Sequence, residues 1–249
     1  MVVATVAVVM AVVVAVAPVA MVAASDLDFL NLYVWPLLKS PQPIPSQFDS
    51  CPEFLAQPSP SGPYCNQAGD VVRLYLAGQD LSGSIPGSIG NLTALAFLDL
   101  GSNNQLHGSI PTQIGFLNKL KFLNLERCAL DGSIPDQIGE LTDLEYFNAH
   151  TNLLSGSIWP GIFSKLLELK DLHLYSNQIS GSIPTTVGQM TQLITLNLGN
   201  NKLDGLLPSE VGNLTALNFF DIGANMISGT FPSEVGKLSF LQSLRLEFN

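Results

Sequence analysis

Leucine and other aliphatic residues recur along most of the chain at a nearly constant spacing. Leucine-led segments begin at Leu92, Leu117, Leu141, Leu166, Met190, Leu214 and Leu238, at intervals of 25, 24, 25, 24, 24 and 24 residues. Each follows L-x-x-L-x-x-L-x-L-x-x-N-x-L-x-G-x-I-P-x-x-I-G-x, and a partial copy runs from Val71 to Asn91. A fixed period of this length is the signature of repeat architectures. The pattern therefore predicts a stack of similar units over residues 71 to 249.

The short L-x-L element of each repeat predicts a β-strand. Its two leucines, for example Leu172 and Leu174, alternate with neighbours that point the other way, as in a strand. One strand per repeat predicts a parallel sheet with the leucines in a core shared between repeats. The G-x-I-P segments are expected to return the chain, with glycine for tight turning and proline to fix φ.

An asparagine follows the strand in most repeats, and we expect its buried amide to bind backbone groups of the turn. Gln79 and Cys128 occupy this position in two repeats, and Cys128 is predicted to be a buried small residue rather than a reactive thiol. Two repeats carry one extra residue, within Asn103-Asn104-Gln105-Leu106 and within Ile158-Trp159-Pro160. Both insertions are expected to bulge outward and to leave the phase of the stack unchanged.

These motifs resemble the plant-type leucine-rich repeat, and the resemblance covers residues 71 to 249. It implies an α/β-type solenoid: a right-handed superhelix with a parallel concave β-sheet, about eight repeats and a short N-terminal cap. Residues 25–70, with a Pro-rich segment, are similar to such a cap, although Pro60 stands where the family usually has tryptophan. By this resemblance Cys51 and Cys65 form a disulfide, which would stabilise the fold by ~3 kcal/mol in the chain-entropy model.

The first 24 residues are apolar and uncharged, which indicates a signal peptide or, alternatively, a membrane anchor. Either interpretation exports the remainder through the secretory pathway to the extracellular space or the cell surface. Two N-x-[ST] sequons, at Asn91 and Asn213, are predicted glycosylation sites at the same phase of the repeat. Because residue 249 falls inside the eighth repeat, we expect the sequence to be a fragment, continued by more repeats, a spanning helix or a kinase domain.

The charge balance narrows the classes of function. The 249 residues carry 10 basic and 20 acidic side chains, for a net charge of -10, with no run of lysine and arginine. Nucleic-acid binding is therefore not expected, and membrane contact is expected only through the N-terminal segment or a missing C-terminal helix.

Motifs of enzymes are absent from the sequence. It contains no G-x-S-x-G, H-E-x-x-H, C-x-x-C or phosphate-loop motif, so no enzyme activity and no cofactor are predicted. His150 and His173, with Asp171 and Glu126 nearby, are the best candidate metal ligands. They do not reach three ligands without favourable rotamers, so no metal site is predicted.

Outward-pointing strand positions are the predicted ligand-binding face, because the leucines hold the scaffold while these positions are displayed. Phe97, Phe122 and Tyr146 form an aromatic stripe beside a lane of amides and carboxylates. The alternative is that the stripe packs against flanking loops as an extension of the core. The predicted ligand-binding residues are Tyr75, Phe97, Asp99, Phe122, Asn124, Glu126, Tyr146, Asn148, His150, Asp171, His173 and Tyr175.

The resemblance implies a non-catalytic extracellular recognition module, part of a receptor-like protein that binds a peptide, a protein or a cell-wall glycan on its concave face, with a co-receptor as a further partner. A structural matrix or adhesion glycoprotein is the alternative from a different class. A secreted inhibitor of a wall-degrading enzyme would share the same scaffold, so these residues do not separate it from the first hypothesis.

Overall fold

The computed structural model describes residues 62–66, 68, 70–158 and 160–249. The predicted leader over residues 1–24 and most of the predicted cap lie outside these residues, as do Cys51 and the side chain of Cys65. Within the described part, no helix is both long and apolar enough to span a bilayer.

Fifteen short strands are formed by the described residues. In chain order they are β1 (Gly62–Cys65), β2 (Val71–Tyr75), β3 (Ser82–Gly83), β4 (Phe97–Asp99), β5 (Gln105–Ser109), β6 (Phe122–Asn124), β7 (Ala129–Asp131), β8 (Tyr146–Asn148), β9 (Ser155–Ser157), β10 (Asp171–His173), β11 (Gln178–Ser182), β12 (Thr195–Asn197), β13 (Lys202–Asp204), β14 (Phe219–Asp221) and β15 (Ser243–Arg245).

The L-x-L strands build the principal sheet, in the order β1-β2-β4-β6-β8-β10-β12-β14-β15. All pairs from β2 onward are parallel, and equivalent repeat positions face each other: Phe97 pairs with Phe122, and Phe122 with Tyr146. Leu98, Leu123 and their equivalents from β2 to β14 are buried beneath the sheet, whereas Leu244 on the last strand, β15, is 39% exposed. The predicted parallel concave sheet of an α/β solenoid is thus confirmed. Strand β1 is an addition to that prediction, because it pairs antiparallel with β2.

Two smaller sheets lie where only a returning segment was expected. They have the orders β3-β5-β7 and β13-β11-β9 and are formed by residues just before each I-P step. After that step, most repeats form a five-residue 3-10 helix. These helices span Gly87–Asn91, Thr112–Phe116, Asp136–Glu140, Thr185–Gln189, Ser209–Asn213 and Ser233–Lys237.

The repeat with the second insertion differs, because it has an α-helix, α1 (Pro160–Lys165), in place of the 3-10 helix. The inserted Trp159 itself lies outside the described residues. Strands β8 and β10 on either side keep their register, with Tyr146 opposite Asp171. The insertion therefore leaves the phase of the stack unchanged, as predicted.

The asparagines after the strands form a ladder of hydrogen-bonded amides, of which Asn103, Asn152 and Asn225 are buried. Asn152 is typical: its Nδ2 donates to the carbonyls of Leu125 at 2.8 Å and Ala149 at 3.1 Å, and its Oδ1 accepts from the Leu130 N–H at 3.0 Å. One side chain thus satisfies backbone groups of two successive repeats. The same pattern is made by Asn103, Asn177, Asn201, Asn225 and Asn249.

Cys128 replaces one member of this ladder. Its thiol lies within 3.5 Å of the Leu100 carbonyl and 3.4 Å of the Glu126 carbonyl, so it retains weak donor contacts. It provides no amide oxygen for the Leu106 N–H, which donates instead to the Asn103 carbonyl at 2.9 Å. That local bond spans the extra residue Asn104, which is exposed. The extra residue thus lets the Asn103 carbonyl accept from the Leu106 N–H, in place of the amide oxygen that Cys128 lacks.

Burial keeps the Cys128 thiol protonated, raising its pKa to about 11 from an ordinary value of 9.0. Because only the thiolate is nucleophilic, we expect iodoacetamide to modify Cys128 about 100-fold more slowly in the folded chain at pH 8 than in urea. Mass spectrometry of the Cys128 peptide over time measures both rates. Equal rates would show that the thiol is accessible and ionised, contrary to this expectation.

The glycine after the core aliphatic residue permits close stacking of neighbouring repeats in the 3-10 helices before the last, Ser233–Lys237, where a Cβ on Gly236 would meet no atom within 4 Å. A Cβ on Gly212 would lie 2.5 Å from the Glu234 carbonyl oxygen, and one on Gly115 would lie 2.7 Å from the Gln137 carbonyl oxygen. Next to α1 the packing is looser, since a Cβ on Gly139 would lie 3.3 Å from the nearest atom. Close packing between these repeats therefore requires glycine after the core isoleucine or valine of the 3-10 helix.

Candidate functional site

Aromatic side chains on the concave sheet form a continuous row across β2, β4, β6 and β8. The ring centroids of Tyr75 and Phe97 are 4.3 Å apart with planes tilted by 35°. Phe97 and Phe122 stack at 4.1 Å, and Phe122 and Tyr146 at 4.4 Å, each pair within 4° of parallel. The parallel register of the strands places these rings side by side. We call Tyr75, Phe97, Phe122 and Tyr146 the aromatic row.

Stacking determines which part of each ring can meet a ligand. Both faces of Phe122 are covered, by Phe97 on one side and Tyr146 on the other. All four rings remain partly exposed. A ligand on the concave face therefore meets mainly ring edges, whose hydrogens carry partial positive charge and favour apolar groups and carbonyl oxygens.

A polar network lies next to the aromatic row. The Asn124 Nδ2 donates to Asp99 Oδ1 at 2.9 Å, and Asp99 Oδ1 also accepts from the Gly101 N–H at 3.0 Å. The Asn148 Nδ2 donates to Glu126 Oε2 at 2.7 Å and lies 3.2 Å from the Tyr146 hydroxyl. The predicted amide and carboxylate lane is thus a connected network.

Burial raises the pKa of Asp99 above its ordinary value, although hydrogen bonds from Gly101 and Asn124 act in the opposite direction. The Glu126 carboxylate contributes a further, smaller increase in the same pKa. Burial also raises the pKa of the Tyr146 phenol. The network therefore contains negative charge that is partly shielded from water, and no lysine or arginine side chain is part of it.

His150 is buried, with 6% of its surface exposed, whereas the sequence suggested a surface histidine. Its Nε2 lies 3.0 Å from Glu126 Oε2, its Nδ1 lies 2.9 Å from the Thr151 hydroxyl, and its ring stacks on Tyr175 at 4.2 Å. Burial lowers its pKa below 6.5, so at pH 7 the ring is neutral and donates its Nε2–H to Glu126. His150 thus holds Glu126 in place without neutralising its charge.

Asp171 and His173 lie at the far side of the same surface, on β10. The His173 ring contacts Tyr146 with centroids 5.8 Å apart and planes tilted by 48°, and burial lowers its pKa. The structure thus brings most of the predicted residues together. Within the described residues, no group of three or more histidine, cysteine or carboxylate side chains is arranged to hold a metal ion.

A second surface feature, which the sequence did not indicate as a site, lies toward β15. The Arg245 guanidinium is 3.8 Å from Asp221 Oδ2 and 5.4 Å from the Phe219 ring centroid. Arg245 and Asp221 border a shallow cleft of about 150 Å³ that is lined also by Tyr175 and Glu247. The outward-position pattern contains these residues, but no run of aromatic side chains marks them in the sequence.

The comparisons with known proteins agree with this architecture. The family model described as Leucine Rich Repeat matches residues 119–141, 168–190 and 192–214. No curated protein matches the chain.

Three of the solved structures that are similar to the chain are complexes. The ectodomain of the Arabidopsis thaliana membrane receptor kinase GASSHO1/SCHENGEN3, in complex with CASPARIAN STRIP INTEGRITY FACTOR 2, is 37% identical with a TM-score of 0.73, over 75% of this chain and 22% of that one. The plant peptide hormone receptor RGFR1, in complex with RGF2, is 43% identical with a TM-score of 0.69, over 71% and 28%. PEPR1, in complex with AtPEP1, is 28% identical with a TM-score of 0.75, over 89% and 30%.

The chain thus spans less than a third of each of these three chains. In this chain the repeat pattern, the hydrogen-bonding asparagines and the parallel concave sheet extend through residues 71 to 249. Residues 71 to 249 thus form leucine-rich repeats, and their solenoid is of the plant receptor-ectodomain type.

Proposed function

We propose that the chain is a non-catalytic extracellular recognition module that binds a peptide on its concave face, along the aromatic row and the adjoining polar network. The observation that supports this most directly is the part-exposed row of rings beside hydrogen-bonding groups. Receptors in the similar structures are named as complexes with peptide hormones and, in one case, with a co-receptor. A co-receptor is accordingly a proposed second partner.

The stacking favours a peptide over a glycan as the ligand. A sugar ring packs well on an open aromatic face, and the faces of Phe122 are covered by its neighbours. Ring edges instead suit aliphatic side chains, proline and backbone carbonyls. Asn124 and Asn148 are buried and hold the part-exposed carboxylates of Asp99 and Glu126, which can accept hydrogen bonds from the N–H groups of a peptide backbone. The geometry thus supports the peptide alternative among those left open by the sequence.

The charge of the concave face favours a neutral or basic peptide. From β4 to β10 the outward positions contain Asp99, Glu126 and Asp171 but no lysine or arginine. Because like charges repel in a partly desolvated surface, a bound cation would lower the electrostatic energy of this face and an anion would raise it.

The setting that we propose is the cell surface or the extracellular space. Residues 1–24 would direct export or serve as an anchor, residues 25–70 would form a disulfide-bonded cap through Cys51 and Cys65, and residues 71–249 would form the repeats. Asn91 and Asn213 would be glycosylated, and both are exposed in the structure.

The test is selection of binders from a random peptide display library on the chain produced in a secretory host. Phe122→Ala with Tyr146→Ala removes half of the row, so we expect the selected peptides to lose at least 10-fold in affinity for this double variant, measured by biolayer interferometry. Circular dichroism of both proteins confirms that the fold is retained.

Matched substitutions outside the face serve as the control. Asp131 and Lys202 are exposed on the smaller sheets, so Asp131→Ala with Lys202→Ala should leave the affinity unchanged. Peptides that bind the wild type and the aromatic double variant equally would refute the site. A library that yields no binder would refute peptide recognition by this chain.

A further inference from the structure

Phe116 is an anomaly on the side of the solenoid formed by the 3-10 helices. It is 62% exposed, and the equivalent residue is polar in the other repeats, where Asn91, Glu140, Lys165, Gln189, Asn213 and Lys237 occupy the position. Phe116 therefore exposes a large apolar surface to water at a position that is otherwise polar.

The ring of Phe116 extends back onto the preceding repeat. A Cβ built on Gly90 would lie 3.1 Å from Phe116 Cδ2, so the ring packs against the residue directly before Asn91. Asn91 and Phe116 end consecutive 3-10 helices that pack side by side, at Gly87–Asn91 and Thr112–Phe116. The asparagine of one sequon therefore has an exposed aromatic ring as its neighbour.

Asn91 meets the local requirements of an acceptor. Asn91 and Thr93 are both exposed and lie at the end of a surface helix. In the transfer, Asn91 Nδ2 displaces a lipid diphosphate from C1 of the first N-acetylglucosamine of a lipid-linked oligosaccharide and loses one proton, which forms the N-glycosidic bond. The first sugar is then held within reach of Phe116.

We infer that an N-linked glycan on Asn91 packs its first N-acetylglucosamine against the Phe116 ring and thereby stabilises this part of the solenoid. The C–H groups of a sugar ring cover an aromatic surface well, and here, in contrast to the aromatic row, the ring is largely open. The inference rests on the export that is part of the proposed function, but it does not depend on peptide binding.

The second sequon provides an internal comparison. Asn213 has Lys237 at the position that Phe116 holds relative to Asn91. Lysine presents no aromatic surface, so a glycan on Asn213 is expected to be solubilising without a specific stabilising contact. The chain therefore contains a matched control for the role of the ring.

The experiment is a cycle of four proteins secreted from insect cells: wild type, Thr93→Ala, Phe116→Ala and the double variant. Thr93→Ala removes the sequon but keeps Asn91. With Phe116 present, we expect loss of the glycan to lower the Tm by roughly 2–4 °C, the shift of a domain of this size for a contact of about 1 kcal/mol. With Phe116→Ala, the same loss should change the Tm by less than about 1 °C.

Two further measurements make the result specific. Endoglycosidase trimming to a single sugar should keep most of the Tm difference, and Thr215→Ala, which removes the Asn213 sequon, should have little effect. Equal shifts with and without Phe116, or an Asn91 that glycopeptide mass spectrometry finds unmodified in the secreted protein, would overturn the inference and leave the peptide site intact. A chain that is not exported at all would overturn the proposed extracellular setting as well.

Discussion

Asn152→Ala should lower the free energy of unfolding by about 2–4 kcal/mol, because it leaves buried backbone groups without partners. The Leu125 and Ala149 carbonyls lose their donor, and the Leu130 N–H loses its acceptor. An unsatisfied buried polar group costs about 1–3 kcal/mol, and partial entry of water reduces the sum. Urea denaturation followed by circular dichroism measures the change.

Cys128→Ala is the matched comparison, since Cys128 occupies the same ladder position in the preceding repeat. It removes only weak contacts of a thiol, and the Leu106 N–H keeps its bond to the Asn103 carbonyl. We expect a loss of about 1 kcal/mol or less. If the two variants lose the same stability, the amide ladder does not have the structural role assigned to it.

Gly212→Ala should destabilise the stack by about 1–3 kcal/mol through overpacking. The new Cβ would lie 2.5 Å from the Glu234 carbonyl oxygen and 2.7 Å from the Glu234 Cβ, so two neighbouring repeats must move apart. A backbone carbonyl cannot rotate away as a flexible side chain can. The same denaturation measurement applies.

Gly139→Ala provides the control at the equivalent position beside α1. Its Cβ would lie 3.3 Å from the Gly161 carbonyl oxygen and 3.3 Å from Cδ of the flexible Lys165 side chain. We expect its stability to stay within about 0.5 kcal/mol of the wild type, since alanine also reduces the entropy of the unfolded chain. A loss at Gly139 as large as that at Gly212 would show that close repeat spacing is not the cause.

Much of the scaffold follows from the sequence, because the repeat fixes which residues are equivalent. The alternation of Leu98 and Leu100 predicts the strand. The constant period predicts the register that pairs Phe97 with Phe122. The buried amide predicted for Asn152 is confirmed by its three backbone bonds. These features depend on local pattern and stacking alone.

Other features depend on side-chain rotamers and on contacts between repeats. The periodicity places Phe122 and Tyr146 side by side, but it does not show that their faces cover each other. His150 is buried because Tyr175 of the next strand stacks on it and Glu126 binds it, neither of which an outward strand position implies. The link between Asn104 and Cys128 is also invisible in single repeats, since it joins an insertion to a substitution one repeat later.

The aromatic row has a mechanical consequence for the shape of the sheet. Its stacked centroids are 4.1 and 4.4 Å apart, whereas adjacent strands are spaced by about 4.7–4.9 Å. The side chains on the inner surface are therefore closer together than the backbones behind them, as in the inner layer of a bent beam. Attraction between the rings thus acts to bend the arc, and smaller side chains at these positions would leave β4, β6 and β8 free to straighten.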